Sequence, residues 1–293
     1  MKVRMQIFLA MVILLVAATP VSAKEPFTRI VSLGPSITEM LFALGVGDQI
    51  VGVTKFCTTP EAAKEKQVVG GHIDKSIHLE TLASLDADLV LVLRGLDSAI
   101  LETLRAMVPR VEVIHTEGID DIYTHFRFLG KLVNRSEEAE KLVEGLQQEI
   151  ADVEATLATL EDAERPRVFY QVWDEPLMTT SARTFIGQLI ELAGGRNIFA
   201  DLSGDYMQIS TEDVIARNPQ ALMGPDHHGK RMEPKHVAAR PGWSGLDAVQ
   251  NNRIYLVDGD LVSRPGPRVG EALRHIAGLL HPDRFASEDA ADD

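Results

Sequence analysis

The chain has one cysteine, Cys57, so no disulfide can close within it and packing alone must hold the fold. It lacks an apolar run long enough to cross a bilayer: residues 7–18 give 12, against the roughly 20 that a hydrocarbon core of ~30 Å demands. Positive charge is short, 29 Lys and Arg against 43 Asp and Glu, which argues against nucleic acid as a partner. Aromatic residues are scarce, with two Trp, four Tyr and ten Phe, so each one in a loop stands out as a candidate contact. The chain has no G-x-S-x-G, H-E-x-x-H, P-loop or dinucleotide fingerprint. "GVG" at 45–47 lacks the third glycine, and the hydroxyls of "TTSARTF" at 179–185 have no neighbouring base to activate them. A hydrolase or chelatase-like enzyme therefore has no sequence support.

What is present begins at the N-terminus. Lys2 and Arg4 precede the apolar run, and "VSA" at 21–23 places small residues at a cleavage site, the pattern of a cleavable secretory signal over 1–23. The exported chain is expected to be soluble, to start near Lys24, and to carry 27 Lys and Arg against 43 acids, a net charge of −16. Cys57 lies too far from the cut to offer a thiol for lipidation there. The acidic "FASEDAADD" at 285–293 lacks any apolar period and reads as a disordered tail.

One unit occurs twice. "SIHLETLASLDADLVLVL" at 76–93 and "QISTEDVIARNPQALMGP" at 208–225 align on Glu80 and Glu212. Both run acid, short amphipathic stretch, Asp or Asn, apolar strand. The flanks extend the match: 29–52 parallels 167–200, and 109–133 parallels 252–280. Strands alternating with helices predict two similar α/β lobes with largely parallel sheets and ligand sites at the loops after the strand C-termini. The N-terminal lobe is assigned to 24–134 and the C-terminal lobe to 165–284. In "GPSITE", Ser36 is expected to cap a helix and Glu39 to complete a capping box. Between the lobes, apolar residues from Ala139 to Leu160 recur at three- and four-residue spacing with no proline. They predict one long backbone helix within 135–164, a rod of roughly 40 Å from about 27 residues.

"RIVSLGPSITEMLFALG", "LETLASLDADLVL", "ELAGGRNIF", "STEDVIARNPQAL", "RPGW" and "RPGPR", in that order across 27–283, resemble the periplasmic substrate-binding proteins of the cobalamin, iron-siderophore and haem importers. "VWDEPLMTT" followed by "AGGRNIFAD" is most similar to the cobalamin branch. The resemblance implies a periplasmic, monomeric receptor of an ABC importer, with no catalytic activity and no intrinsic cofactor. It implies capture of a metal chelate, cobalamin or another corrinoid first, a ferric siderophore or haem as alternatives. It also implies that Glu80 and Glu212 dock on a permease dimer, the only route to the membrane. The local alternative is that both acids merely favour helix N-termini, each worth about 0.3–1 kcal/mol.

In this family the ligand lies between the lobes. The cleft candidates are Pro35, Phe56, His72, Arg94, Trp173, Tyr206, Asp260 and Arg264, with Arg268 behind them. Core packing is the competing reading for the aromatics, and Trp243 is expected to pack under a loop. Asp260 and Arg264 match ligand-contacting positions of the cobalamin branch. His72, Leu93 and Leu261 stand where that branch would carry tryptophan, and the imidazole of His72 could take an axial position on cobalt or iron. The loop holding Asp226, His227, His228 and His236 leaves free metal-ion capture as a minor alternative.

Overall fold

The computed structural model describes residues 26–71, 76–226 and 232–285. The segment expected to be a signal, His72, His227, His228 and the residues from 286 lie outside the described residues. Phe285, assigned to the tail from sequence, instead closes a last helical turn.

In the N-terminal lobe β1 (Ile30–Leu33) leads into α1 (Pro35–Ala43). Then follow β2 (Ile50–Val53), β3 (Gln67–Val68), the antiparallel pair β4 (Gly70–Gly71) and β5 (Ser76–Ile77), α2 (Leu79–Ala83), β6 (Leu89–Leu93), α3 (Ser98–Met107), β7 (Val111–Ile114) and α4 (Ile119–Leu132). After α5 (Ser136–Leu157), the C-terminal lobe runs β8 (Arg167–Tyr170), β9 (Met178–Thr180), α6 (Phe185–Leu192), β10 (Arg196–Asn197), β11 (Tyr206–Gln208) and α7 (Thr211–Arg217). It ends with β12 (Ala221–Pro225), α8 (Pro234–Ala238), α9 (Asp247–Gln250), β13 (Ile254–Val257), α10 (Gly259–Val262), α11 (Val269–Leu280) and α12 (Pro282–Phe285).

The two sheets are wholly parallel and share an order: β2-β1-β6-β7, with β3 added at the edge, is answered by β10-β8-β12-β13. A parallel strand with both faces covered needs apolar residues at every position rather than at alternate ones. "IVSL" and "LVLVL" satisfy that, and β1 is buried throughout. Its one polar residue, Ser32, accepts a hydrogen bond from Thr38 Oγ1 at 2.8 Å and so stays satisfied inside the core. The edge strands β7 and β13 relax the pattern and expose Val113 and Leu256.

α5 joins the lobes. Ala139, Val143, Leu146, Ile150, Val153 and Leu157 are buried, each larger one contributing about 1.5–3 kcal/mol of transfer free energy. The helix packs on α4 of one lobe and α11 of the other, inside a single apolar core. Gly130 permits the α4 contact, because a Cβ there would sit 2.6 Å from that of Ala139. With 22 residues the helix is about 33 Å long, shorter than its periodicity predicts. Leu160 still packs on the core, but from a turn in which its N–H donates to Leu157 O at 2.8 Å. Among the described residues no helix is long and apolar enough to cross a membrane.

Candidate functional site

Loops at the strand C-termini of both lobes face one another across a cleft of about 740 Å³. That volume lies within the range of roughly 300–1,000 Å³ usual for small-molecule sites. From the N-terminal lobe, Pro35 and Ser36 open α1, Phe56 follows β2, Arg94 follows β6, and His115 to Glu117 follow β7. From the C-terminal lobe come Arg183 and Phe185 at the head of α6, Asp205 and Tyr206 at β11, and Asp260, Ser263 and Arg264 after β13. Pro35, Phe56, Arg94, Tyr206, Asp260 and Arg264 are thus brought together. Trp173 is not among the lining residues: it is 51% exposed in the β8–β9 loop, and its Nε1 donates to Glu175 O at 2.9 Å. Trp243 is buried, edge-on to Phe169 with centroids 5.9 Å apart.

Glu39 departs from the expected capping box. Pro35 occupies the first turn and Gly34 the N-cap, so α1 starts before Ser36 and carries Glu39 into the body of the helix. There it is 3% exposed and bonded to two arginines of the other lobe, Arg264 at 3.1 Å and Arg268 at 2.9 Å. Burial is the largest single influence on Arg268 and opposes its charge, but the hydrogen bond to Glu39 and the negative charges of Glu39, Glu271 and Asp258 together outweigh it and lift the guanidinium above its ordinary pKa. Arg264 also donates to Phe56 O at 3.1 Å and pairs with Asp260 at 2.6 Å. Its planar fork therefore joins the lobes before any ligand arrives. On the far side of the cleft, Ile119 N–H donates to Gln188 Oε1 at 2.9 Å, a second bridge between lobes.

The sequence reading missed the 115–117 and 183–185 segments. His115 Nε2 stands 2.8 Å from Glu117 Oε1 and also meets Arg94 Nη1, while Arg183 pairs with Asp205 at 2.9 Å. The usable signal was the rule that sites follow strand ends: "HTEG" succeeds β7 directly. The turn is fixed by Asp121, whose carboxylate accepts from the N–H groups of Glu117 and Gly118 at 2.7 and 3.1 Å. Burial alone would raise the Asp121 pKa; these two bonds, helped by His125 and His115, hold it below the ordinary carboxylate value.

Glu80 and Glu212 are exposed in the first turns of α2 and α7, at equivalent points of the two lobes. α7 is capped by Ser210 and Asp213, so Glu212 is not needed for that purpose. His236 lies on α8 near Glu233, and no group of three or more metal-ligating side chains occurs among the described residues. Cys57 is buried, its Sγ 3.1 Å from Thr38 Oγ1.

Residues 30–261 match the periplasmic binding protein family. An uncharacterized ABC transporter substrate-binding lipoprotein of Bacillus subtilis is 32% identical over 267 residues, covering 89% of this chain and 82% of that one. The crystal structure of the periplasmic vitamin B12 binding protein of Vibrio cholerae is similar with a TM-score of 0.75 at 28% identity, covering 88% and 98% of the two chains. A periplasmic heme-binding protein from Roseiflexus, in apo form, gives a TM-score of 0.78 at 26% identity, covering 87% and 98%.

Proposed function

The chain belongs to the periplasmic binding protein family, and from that premise we propose that it is the substrate-binding component of an ABC importer. Its cargo is a metal-bearing tetrapyrrole, foremost cobalamin or another corrinoid. The observation that carries this reading is the cleft itself, walled by both lobes, with apolar surface from Pro35, Phe56 and Tyr206 and a rim of paired charges. A broad, partly apolar macrocycle with polar side groups meets such a surface edge-on. The vitamin B12-binding relatives support the corrinoid assignment. Haem is the second reading, favoured by the imidazole of His115 in the cleft wall and by the heme-binding structure.

The joined lobes leave room for small hinge motion only, so affinity comes from a largely preformed cleft. The loaded monomer, exported by its signal segment to the periplasm, offers Glu80 and Glu212 to a permease dimer, one acid per lobe for a two-fold partner. The relatives are binding proteins, and this chain is read as one that returns its ligand unaltered. The test is to incubate the protein with cyanocobalamin, aquocobinamide or haemin, desalt, and record the visible spectrum. Retention of one chromophore per chain is expected; retention of none refutes the proposal.

A further inference from the structure

His115 lines the cleft, and among the described residues it is the histidine that does so. Its neighbour His125 is buried with Nδ1 3.2 Å from Thr116 Oγ1, and His236 sits by Glu233. Two groups meet His115 Nε2: the Glu117 carboxylate at 2.8 Å and the Arg94 guanidinium. The Nδ1 atom has no hydrogen-bond partner among the described residues. One ring nitrogen cannot serve both neighbours, because a guanidinium only donates and a carboxylate only accepts. If Nε2 carries the proton it donates to Glu117, and Nδ1 keeps the lone pair. Arg94, with its side chain 66% exposed, is free to swing toward the polar rim of an entering ligand, which settles the ring in that second arrangement. The result is a carboxylate holding one imidazole nitrogen and leaving the other as a donor, the arrangement that metal-ligating histidines use.

We infer that His115 Nδ1 ligates the metal of a captured chelate whose axial position is open, an incomplete corrinoid or haem, whereas cobalamin, with its own axial base in place, is held by the cleft wall alone. The inference rests on the proposed function. Chemically the step is an exchange: the Nδ1 lone pair forms the bond to cobalt or iron as an axial water leaves, and the metal keeps its oxidation state. Imidazole suits both metals. Glu117 is a positioning residue that fixes the ring, and Arg94 pairs with the rim.

The test is titration of the full chain with aquocobinamide, haemin and cyanocobalamin, followed by visible absorption. With wild type, aquocobinamide or haemin should shift to an imidazole-ligated spectrum, whereas cyanocobalamin should keep its own. His115→Ala should abolish the shift, and imidazole added to the buffer should restore it, which a merely structural role would not do. Glu117→Gln should keep the shift while weakening affinity about tenfold. His275→Ala, exposed on α11, should behave as wild type. An unchanged shift and affinity in His115→Ala, or retention of aquocobinamide or haemin by wild type without a shift, overturns the inference and leaves the proposed function standing. Retention of no chelate overturns both.

Discussion

Replacing Glu39 by Gln removes one charge from a buried pair of lobes' worth of contacts while keeping the side-chain shape. Glu39 is 3% exposed and faces Arg264 and Arg268, whose side chains are 10% and 25% exposed. Breaking a buried ion pair from one side costs about 3–5 kcal/mol, because the partner charge is left without compensation. Here Arg264 keeps Asp260 and the Phe56 carbonyl, and Arg268 reaches water, so the low end applies, about 3 kcal/mol. For a chain of this size each kcal/mol moves Tm by roughly 2–4 °C, giving a fall of about 6–12 °C in a circular-dichroism melt. Converting Glu39, Arg264 and Arg268 together to Met should recover most of the loss, since the desolvation of three charges disappears with their attraction. A Glu39→Gln chain melting within about 1 °C of wild type would show that the triad does not couple the lobes.

Three further outcomes follow from the same structure. His125 and His281 are buried, and burial is the leading cause that holds both below the ordinary imidazole pKa of 6.5, with Arg253 and Arg284 adding to it at His281. The folded chain then binds fewer protons than the unfolded one, so stability is full above pH 6.5 and declines as pH falls below it. Urea unfolding from pH 7.5 to 5.5 should show this slope, and His125→Gln or His281→Gln should flatten it; an equal slope in the variants would refute the assignment. Trp243→Ala should lose about 3–5 kcal/mol in denaturant unfolding, whereas Trp173→Ala, half exposed outside the cleft, should stay within roughly 0.5 kcal/mol. Charge reversal at Glu80 and Glu212 should abolish uptake by cells carrying the importer and leave ligand affinity in vitro unchanged; lost affinity would mean that the acids are not docking residues.

Local patterns were legible where the physics is local. The continuous apolar runs of β1 and β6, the 132-residue repeat that became two sheets of matching order, and the three- and four-residue spacing of α5 all follow from which face must leave water. The end of α5 was not legible, because Leu160 continues the apolar period from a turn: burial constrains the side chain without fixing the backbone that delivers it. Glu39 misled for a similar reason. Its spacing from Ser36 imitates a capping box, while its partners lie 225 and 229 positions away, where no window along the chain reaches. Pro35 was the local clue that the helix begins earlier. The placement of Asp260 and Arg264 came from family likeness rather than from pattern, and His115 and Glu117 were overlooked although their loop obeys the strand-end rule that selected the others.

The most direct test of the central claim is a calorimetric titration of Ser263→Trp beside wild type, since Ser263 is exposed in the cleft wall and an indole there takes up space that a bulky ligand needs. The account predicts one site per chain for the retained chelate in wild type and none in the filled variant, with both proteins folded alike by circular dichroism. Equal binding by the two would place the ligand elsewhere and contradict the account.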